Sequence, residues 1–219
     1  MRTVGISTAL ALGCGLVLAL AGVAYAADIV GDPYAINVCP VSGEPLGTMG
    51  DPIIISYEGR EIRFCCDGCE PKFNDEPAKY LAKVDQLMTE AQDKYYPLST
   101  CVVSGKEIDA NAKSVIINNR QMKFCCADCP DMAKADLAKF IAKLDEAVIA
   151  AQSETYTSKT CPVSGEALGS MGDPIAKVVG NRLVMLCCSG CEKGLAKNPA
   201  AALAALDGKK LKEGSGKKS

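Results

Sequence analysis

The stretch FCCDGCEPKF (64–73) places three thiols within five residues at the end of an apolar, strand-like run. It returns as FCCADCPDMA from Phe124 and as LCCSGCEKGL from Leu186, so whatever Cys65, Cys66 and Cys69 do is done three times in one chain. Working outward, each cluster is preceded by one more cysteine. CPVSGEPLGTMGDP (39–52) and CPVSGEALGSMGDP (161–174) differ only at Pro45/Ala167 and Thr48/Ser170, and CVVSGKEIDANAK from Cys101 is a shorter relative. The spacing is C-x25-C-C-x2-C in the first and third copies and C-x23-C-C-x2-C in the second, a repeat period near 61 residues. A period of that size marks a tandem array of small units.

Each copy carries the same order of signals. In PIIISYEGREIRFC, β-branched residues flank Glu58-Gly59; the second copy turns at Asn118-Asn119 and the third at Gly180-Asn181, which predicts three β-hairpins. A helix follows each cluster. In the first, Asp75 is the expected N-cap, Pro77 lies in the first turn, and Tyr80, Leu81, Val84, Leu87 and Met88 recur at helical spacing as core residues. The second copy repeats this with Leu137, Phe140, Ile141, Leu144 and Val148, and the third with Asn198-Pro199, Leu203 and Leu206. The segments 94–100 and 153–159 are polar and read as linkers. The predicted class is α+β: three tandem units at 36–93, 98–152 and 158–207, each a cysteine knuckle, hairpin, cysteine cluster and helix able to fold alone, followed by a disordered basic tail at 208–219.

The chain's 219 residues hold thirteen cysteines, no histidine and no tryptophan, so a metal site must be built mainly from thiolates and histidine-based catalysis is excluded. The N-terminal MRTVGISTALALGCGLVLALAGVAYAAD has one basic residue, an apolar run and the small-x-small site Ala24-Tyr25-Ala26, which reads as a signal peptide at 1–26 directing the chain to the periplasm or otherwise out of the cytoplasm. Retention of that run as an anchor is the alternative, and the only one that brings in a membrane. Cys14 falls within it, too early for a lipid attachment site, and is discarded on cleavage. Cleavage leaves 23 basic against 26 acidic residues, a net charge of -3. Nucleic acid is not an expected partner.

A unit of about 55 residues buries little apolar surface and needs a metal or disulfides to be stable. Four thiols per copy supply one site each: Cys39, Cys65, Cys66 and Cys69; Cys101, Cys125, Cys126 and Cys129; Cys161, Cys187, Cys188 and Cys191. Soft thiolate sets select zinc or copper over magnesium or calcium, about one ion per repeat, and a helix start after the cluster favours the thiolate forms of Cys66 and Cys69. Twelve cysteines in the cleaved chain also allow complete disulfide pairing, giving a structural or interaction protein stapled by zinc or by S–S bonds. A third reading is a dithiol oxidoreductase using Cys66-Asp-Gly-Cys69 and its equivalents, but a hairpin unit offers no parallel sheet for a thioredoxin-like site. Met49 and Met171 are read as loop packing rather than thioether ligands.

The segment FCCDGCEPKFNDEPAKYL (64–81) closely resembles the second half of YHS and TRASH domains, treble-clef-like metal-binding modules, through Phe64, Cys65, Cys69, Phe73, Pro77 and Tyr80. CPVSG resembles their knuckle. There the cysteine often stands at the place of Ser42, Ser104 and Ser164, and serine often stands at the place of Cys66, Cys126 and Cys188; copies two and three put Ala133 and Leu195 where the first has Phe73. The resemblance implies binding, trafficking, storage or resistance toward thiophilic metals, without catalysis, with a metal transporter or another exported protein as the expected partner.

Overall fold

The protein is described here from a computed structural model covering residues 31–110, 112–209 and 211. The export segment, Cys14 and nearly all of the basic tail lie outside the described residues. Among the described residues no helix is long and apolar enough to cross a membrane.

Three hairpins form the frame, each an isolated two-stranded antiparallel sheet: β1 (Ile53–Tyr57) with β2 (Arg60–Phe64), β3 (Lys113–Ile117) with β4 (Arg120–Phe124), and β5 (Ile175–Val179) with β6 (Arg182–Leu186). Register follows from two-residue turns, pairing Tyr57 with Arg60, Ile117 with Arg120 and Val179 with Arg182. Both turn residues have positive φ in every case: Glu58 and Gly59 at 51° and 75°, Asn118 and Asn119 at 44° and 68°, Gly180 and Asn181 at 57° and 58°. That is the conformation whose twist matches paired strands.

Behind each second strand the chain bends and enters a short helix, then a second one: α1 (Cys69–Asp75) and α2 (Pro77–Gln92), α3 (Cys129–Ala135) and α4 (Leu137–Ser153), α5 (Gly190–Lys197) and α6 (Pro199–Leu206). Asp75 is therefore not an N-cap. It closes α1, and Glu76 takes the cap position at φ −135°, a break that Asp136 and Asn198 repeat at φ −140° and −139°. In the third copy Asn198 does cap α6, its side chain accepting from the Ala201 N–H at 3.1 Å.

Each unit has its own core. Ile62, Phe64, Phe73, Val84 and Met88 are buried in the first, Met122, Phe124, Phe140 and Leu144 in the second, and Val184, Leu186, Leu195 and Ala202 in the third. Phe73 packs with Tyr57, Phe64 and Tyr80 at ring separations of 5.1, 5.4 and 6.3 Å; Ala133 and Leu195 are buried in its place and leave the other units without that aromatic cluster.

The connectors do not behave as free linkers. Tyr96 and Leu98 pack against the second core, and the Lys123 N–H donates to the Tyr96 hydroxyl at 3.1 Å; the Met185 N–H does the same to Tyr156 in the third unit. The units also lock to one another. Gln92, at the end of α2, donates to the Asn119 carbonyl and accepts from the Gln121 N–H, both at 2.8 Å, and Gln152 of α4 makes the corresponding bonds to Asn181 and Leu183 at 2.9 Å. At the centre, buried Asp32 takes Arg120 in a two-pronged ion pair at 2.7 and 2.8 Å and accepts from the Gly180 N–H. Arg63 closes the set by donating to the carbonyls of Ala196 and Lys197 at the end of α5, at 2.7 and 2.6 Å.

Candidate metal centres

Two loops build each site. The knuckle wraps Cys39 between the Cys39 N–H to Glu44 carbonyl bond at 2.8 Å and the Gly43 N–H to Cys39 carbonyl bond at 2.9 Å, and the same pair of bonds recurs around Cys101 and Cys161. Gly43, Gly105 and Gly165 sit at φ 79°, 73° and 79°, a left-handed backbone that closes the loop and that side chains resist. The second loop follows the hairpin. Phe64, Phe124 and Leu186 are buried at the strand ends, anchoring Cys65, Cys125 and Cys187 immediately after them, while the start of the next helix supplies Cys69, Cys129 and Cys191. In the third unit the knuckle is tight against α5: a Cβ on Gly194 would lie 2.5 Å from Val163.

The result is three triads, Cys39/Cys65/Cys69, Cys101/Cys125/Cys129 and Cys161/Cys187/Cys191, whose sulfurs within each set all lie within 4.8 Å of one another. Thiolates about 2.3 Å from a tetrahedral zinc stand about 3.8 Å apart. The Cys65–Cys69, Cys125–Cys129 and Cys187–Cys191 separations of 3.8, 4.0 and 3.6 Å match that edge. All twelve described cysteines are free thiols. Each triad can hold a metal ion.

The electrostatics are divided within each triad. Burial pushes the Cys39 thiol up, but the Ser42 hydroxyl and the N–H groups of Ser42, Cys65 and Val41 outweigh it and bring the thiol down to about 7. Cys101 and Cys161 come down to about 6, burial again overcome by the Ser104 or Ser164 hydroxyl and three backbone N–H groups. The helix-start cysteines go the other way. Burial raises Cys69 far above the ordinary thiol range, with its bonds to Cys66, Cys39 and Cys65 adding to the effect, and Cys191 rises to about 12 on the same causes. The expected lowering of Cys69 by the helix start is thus reversed, because a buried thiol that donates to neighbouring sulfurs keeps its proton.

Cys66, Cys126 and Cys188 stand beside the triads rather than among them. Cys66 lies 3.5 Å from Cys69 and 3.9 Å from Cys65, Cys126 lies 3.0 Å from Cys129, and Cys188 lies 3.9 and 4.0 Å from Cys187 and Cys191. Each cluster also has a hydroxyl neighbour that cysteine spacing does not reveal: Ser42, Ser104 and Ser164 reach Cys65, Cys125 and Cys187 at 3.2, 3.2 and 3.3 Å. Their recurrence three residues after each knuckle cysteine, in C-x2-S, is the signal in the sequence that points to them. Met49 and Met171 are 60% and 64% exposed and so do not serve as loop packing.

Residues 40–84 match the family model described as the YHS domain, a segment holding the first knuckle after Cys39, the first hairpin, the cluster Cys65, Cys66 and Cys69, and the first half of α2. Comparison with curated proteins and with solved structures returns no match.

Proposed function

We propose that this protein binds Zn(II) or Cu(I) outside the cytoplasm, one ion per unit, and that it holds or delivers these ions without catalysing a reaction on them. The observation that carries the reading is the threefold recurrence of a three-sulfur set at metal-thiolate spacing, fully buried in the first and third units and buried but for Cys125 in the second, in which backbone N–H groups already favour one thiolate. Such an arrangement lowers the cost of displacing protons when the metal binds. The YHS match over the first unit supports the same chemistry, and the apolar N-terminus ending in Ala24-Tyr25-Ala26 supports export. A metal transporter or another exported protein is the fitting source or recipient.

The test is elemental mass spectrometry on protein recovered anaerobically after export, with accessible thiols counted on the same sample before and after chelation. The expected result is about one ion for each triad, with thiols that become reactive when the metal is removed. The identity of the ion separates Zn(II) from Cu(I). A metal-free chain whose thiols stay unreactive after chelation is disulfide-stapled, and the proposal fails. The head-to-tail docking through Gln92 and Gln152 favours one further reading, a structural repeat with closed zinc sites, which would keep its ions against a strong chelator.

A further inference from the structure

Beside each triad stands a fourth sulfur that the triad does not enclose. Cys39, Cys65 and Cys69 are 0%, 2% and 4% exposed, whereas Cys66 is only partly buried; the third unit has the same contrast between its triad and Cys188. In the second unit Cys126 is exposed and Cys125 is itself only partly buried. The fourth sulfurs reach their helix-start cysteines at 3.5, 3.0 and 4.0 Å, and stand outside the mutually close set that includes the knuckle thiols. The knuckle side is taken by the serine hydroxyl. Each site is thus layered from solvent inward: a reachable thiol, two sulfurs at the hairpin and helix, and the knuckle sulfur with its N–H donors.

A buried ion with several thiolate bonds leaves slowly if those bonds must break before a new one forms. A sulfur within bonding reach of both the ion and the solvent allows exchange one bond at a time. We propose that Cys66, Cys126 and Cys188 are exchange thiols that receive an ion from, and return it to, a small thiol-bearing carrier, and that the second unit exchanges fastest. This rests on the metal-binding reading above. On loading, the exchange thiol forms a metal–sulfur bond as one carrier–metal bond breaks; the released carrier thiolate takes up a proton, and the protein thiol loses one. The triad sulfurs then replace the remaining carrier bonds in the same way, and the oxidation state of the metal does not change.

The experiment compares the full exported chain with C66S/C126S/C188S and with C126S alone, each loaded with Zn(II) and, in parallel, with Cu(I). Ion content and equilibrium affinity are read by chelator competition, transfer to a chromogenic chelator by stopped flow, and folding by circular dichroism; Cys126 is exposed, so the single variant tests the idea without a burden on the fold. The expected result is unchanged ion content and nearly unchanged affinity, with transfer slowed about tenfold in the triple variant and the fastest phase lost in C126S. Loss of an ion from each altered site, or an affinity fall of about 100-fold, would make these cysteines integral ligands and overturn the inference. Unchanged transfer rates would overturn it as well. An unaltered chain that takes up neither metal defeats the metal-binding reading before any variant is compared.

Discussion

Adjacent cysteines with opposite fates are the residue-scale lesson of FCC-x2-C. Cys65 turns inward behind buried Phe64 and Cys66 turns out, a choice made by the bend after the strand, which the spelling of two identical neighbours does not encode. That the cysteines of each unit come together is legible from spacing; that three of them make the close set, and how protons divide among them, is not, because both depend on the bend after the strand and on which backbone N–H groups the knuckle aims at sulfur. A pH dependence follows for the metal-free chain. Cys101 and Cys161 at about 6 and Cys39 at about 7 lie below the ordinary thiol value of about 8.5, so between those limits the unfolded chain holds more protons and stability rises with pH. Above about 8.5 the raised thiols Cys69, Cys129 and Cys191 reverse the sign, since the folded chain then keeps protons that the unfolded chain loses. Urea midpoints under reducing, metal-free conditions should therefore peak near pH 8.5, at about the ordinary thiol value. A profile that falls steadily from pH 6 upward would contradict the assignment of the knuckle thiolates.

Among the elements, the hairpins and the second helices could be read directly from turn residues and helical periodicity. The exception is the break at Glu76 and its equivalents, where a seven- or eight-residue helix precedes the main one. The contacts between units were hidden for a different reason: one polar residue at a helix end leaves no periodic trace. Superimposing the repeats does expose them. Gln92 and Gln152 occupy matching places; the same comparison shows that, within each unit, the hairpin's first return residue pairs with an aspartate 25 positions later, Arg60–Asp85, Arg120–Asp145 and Arg182–Asp207, at 2.5, 2.7 and 2.6 Å. Gln92→Ala should cost about 1–3 kcal/mol, because it orphans a buried N–H and a carbonyl at the next unit's turn. Denaturant titration of the variant would show this as a lower midpoint, and an unchanged midpoint would mean that Gln92 contributes nothing to the interface.

For the molecule as a whole, composition and polar connectors suggested three separate beads, and the structure instead gathers the hairpin turns around Asp32. Nothing near Asp32 in the sequence marks it, since its partners Arg120 and Gly180 are 88 and 148 residues away. Asp32→Ala leaves Arg120, 1% exposed, with Asp145 as its remaining ion-pair partner and should destabilise the assembly by about 3 kcal/mol, toward the lower end for a broken buried pair. Thermal unfolding followed by circular dichroism would register the loss, together with a separation of the unfolding of the first unit from that of the other two; a single unshifted transition would contradict it. The reach of Asp32 also sets a timetable. Every triad is complete within a stretch running from its knuckle to its helix start, so a site forms from local chain as soon as its own unit is made, whereas the central clasp is built in two steps: Arg120 reaches Asp32 once the second hairpin exists, and the Gly180 N–H only with the third. Loop closure of that length is slow relative to local pairing. Only the first metal pocket is therefore complete before any part of the clasp can close, and the clasp is finished last, when the third hairpin brings Gly180 to an Asp32 already held by Arg120.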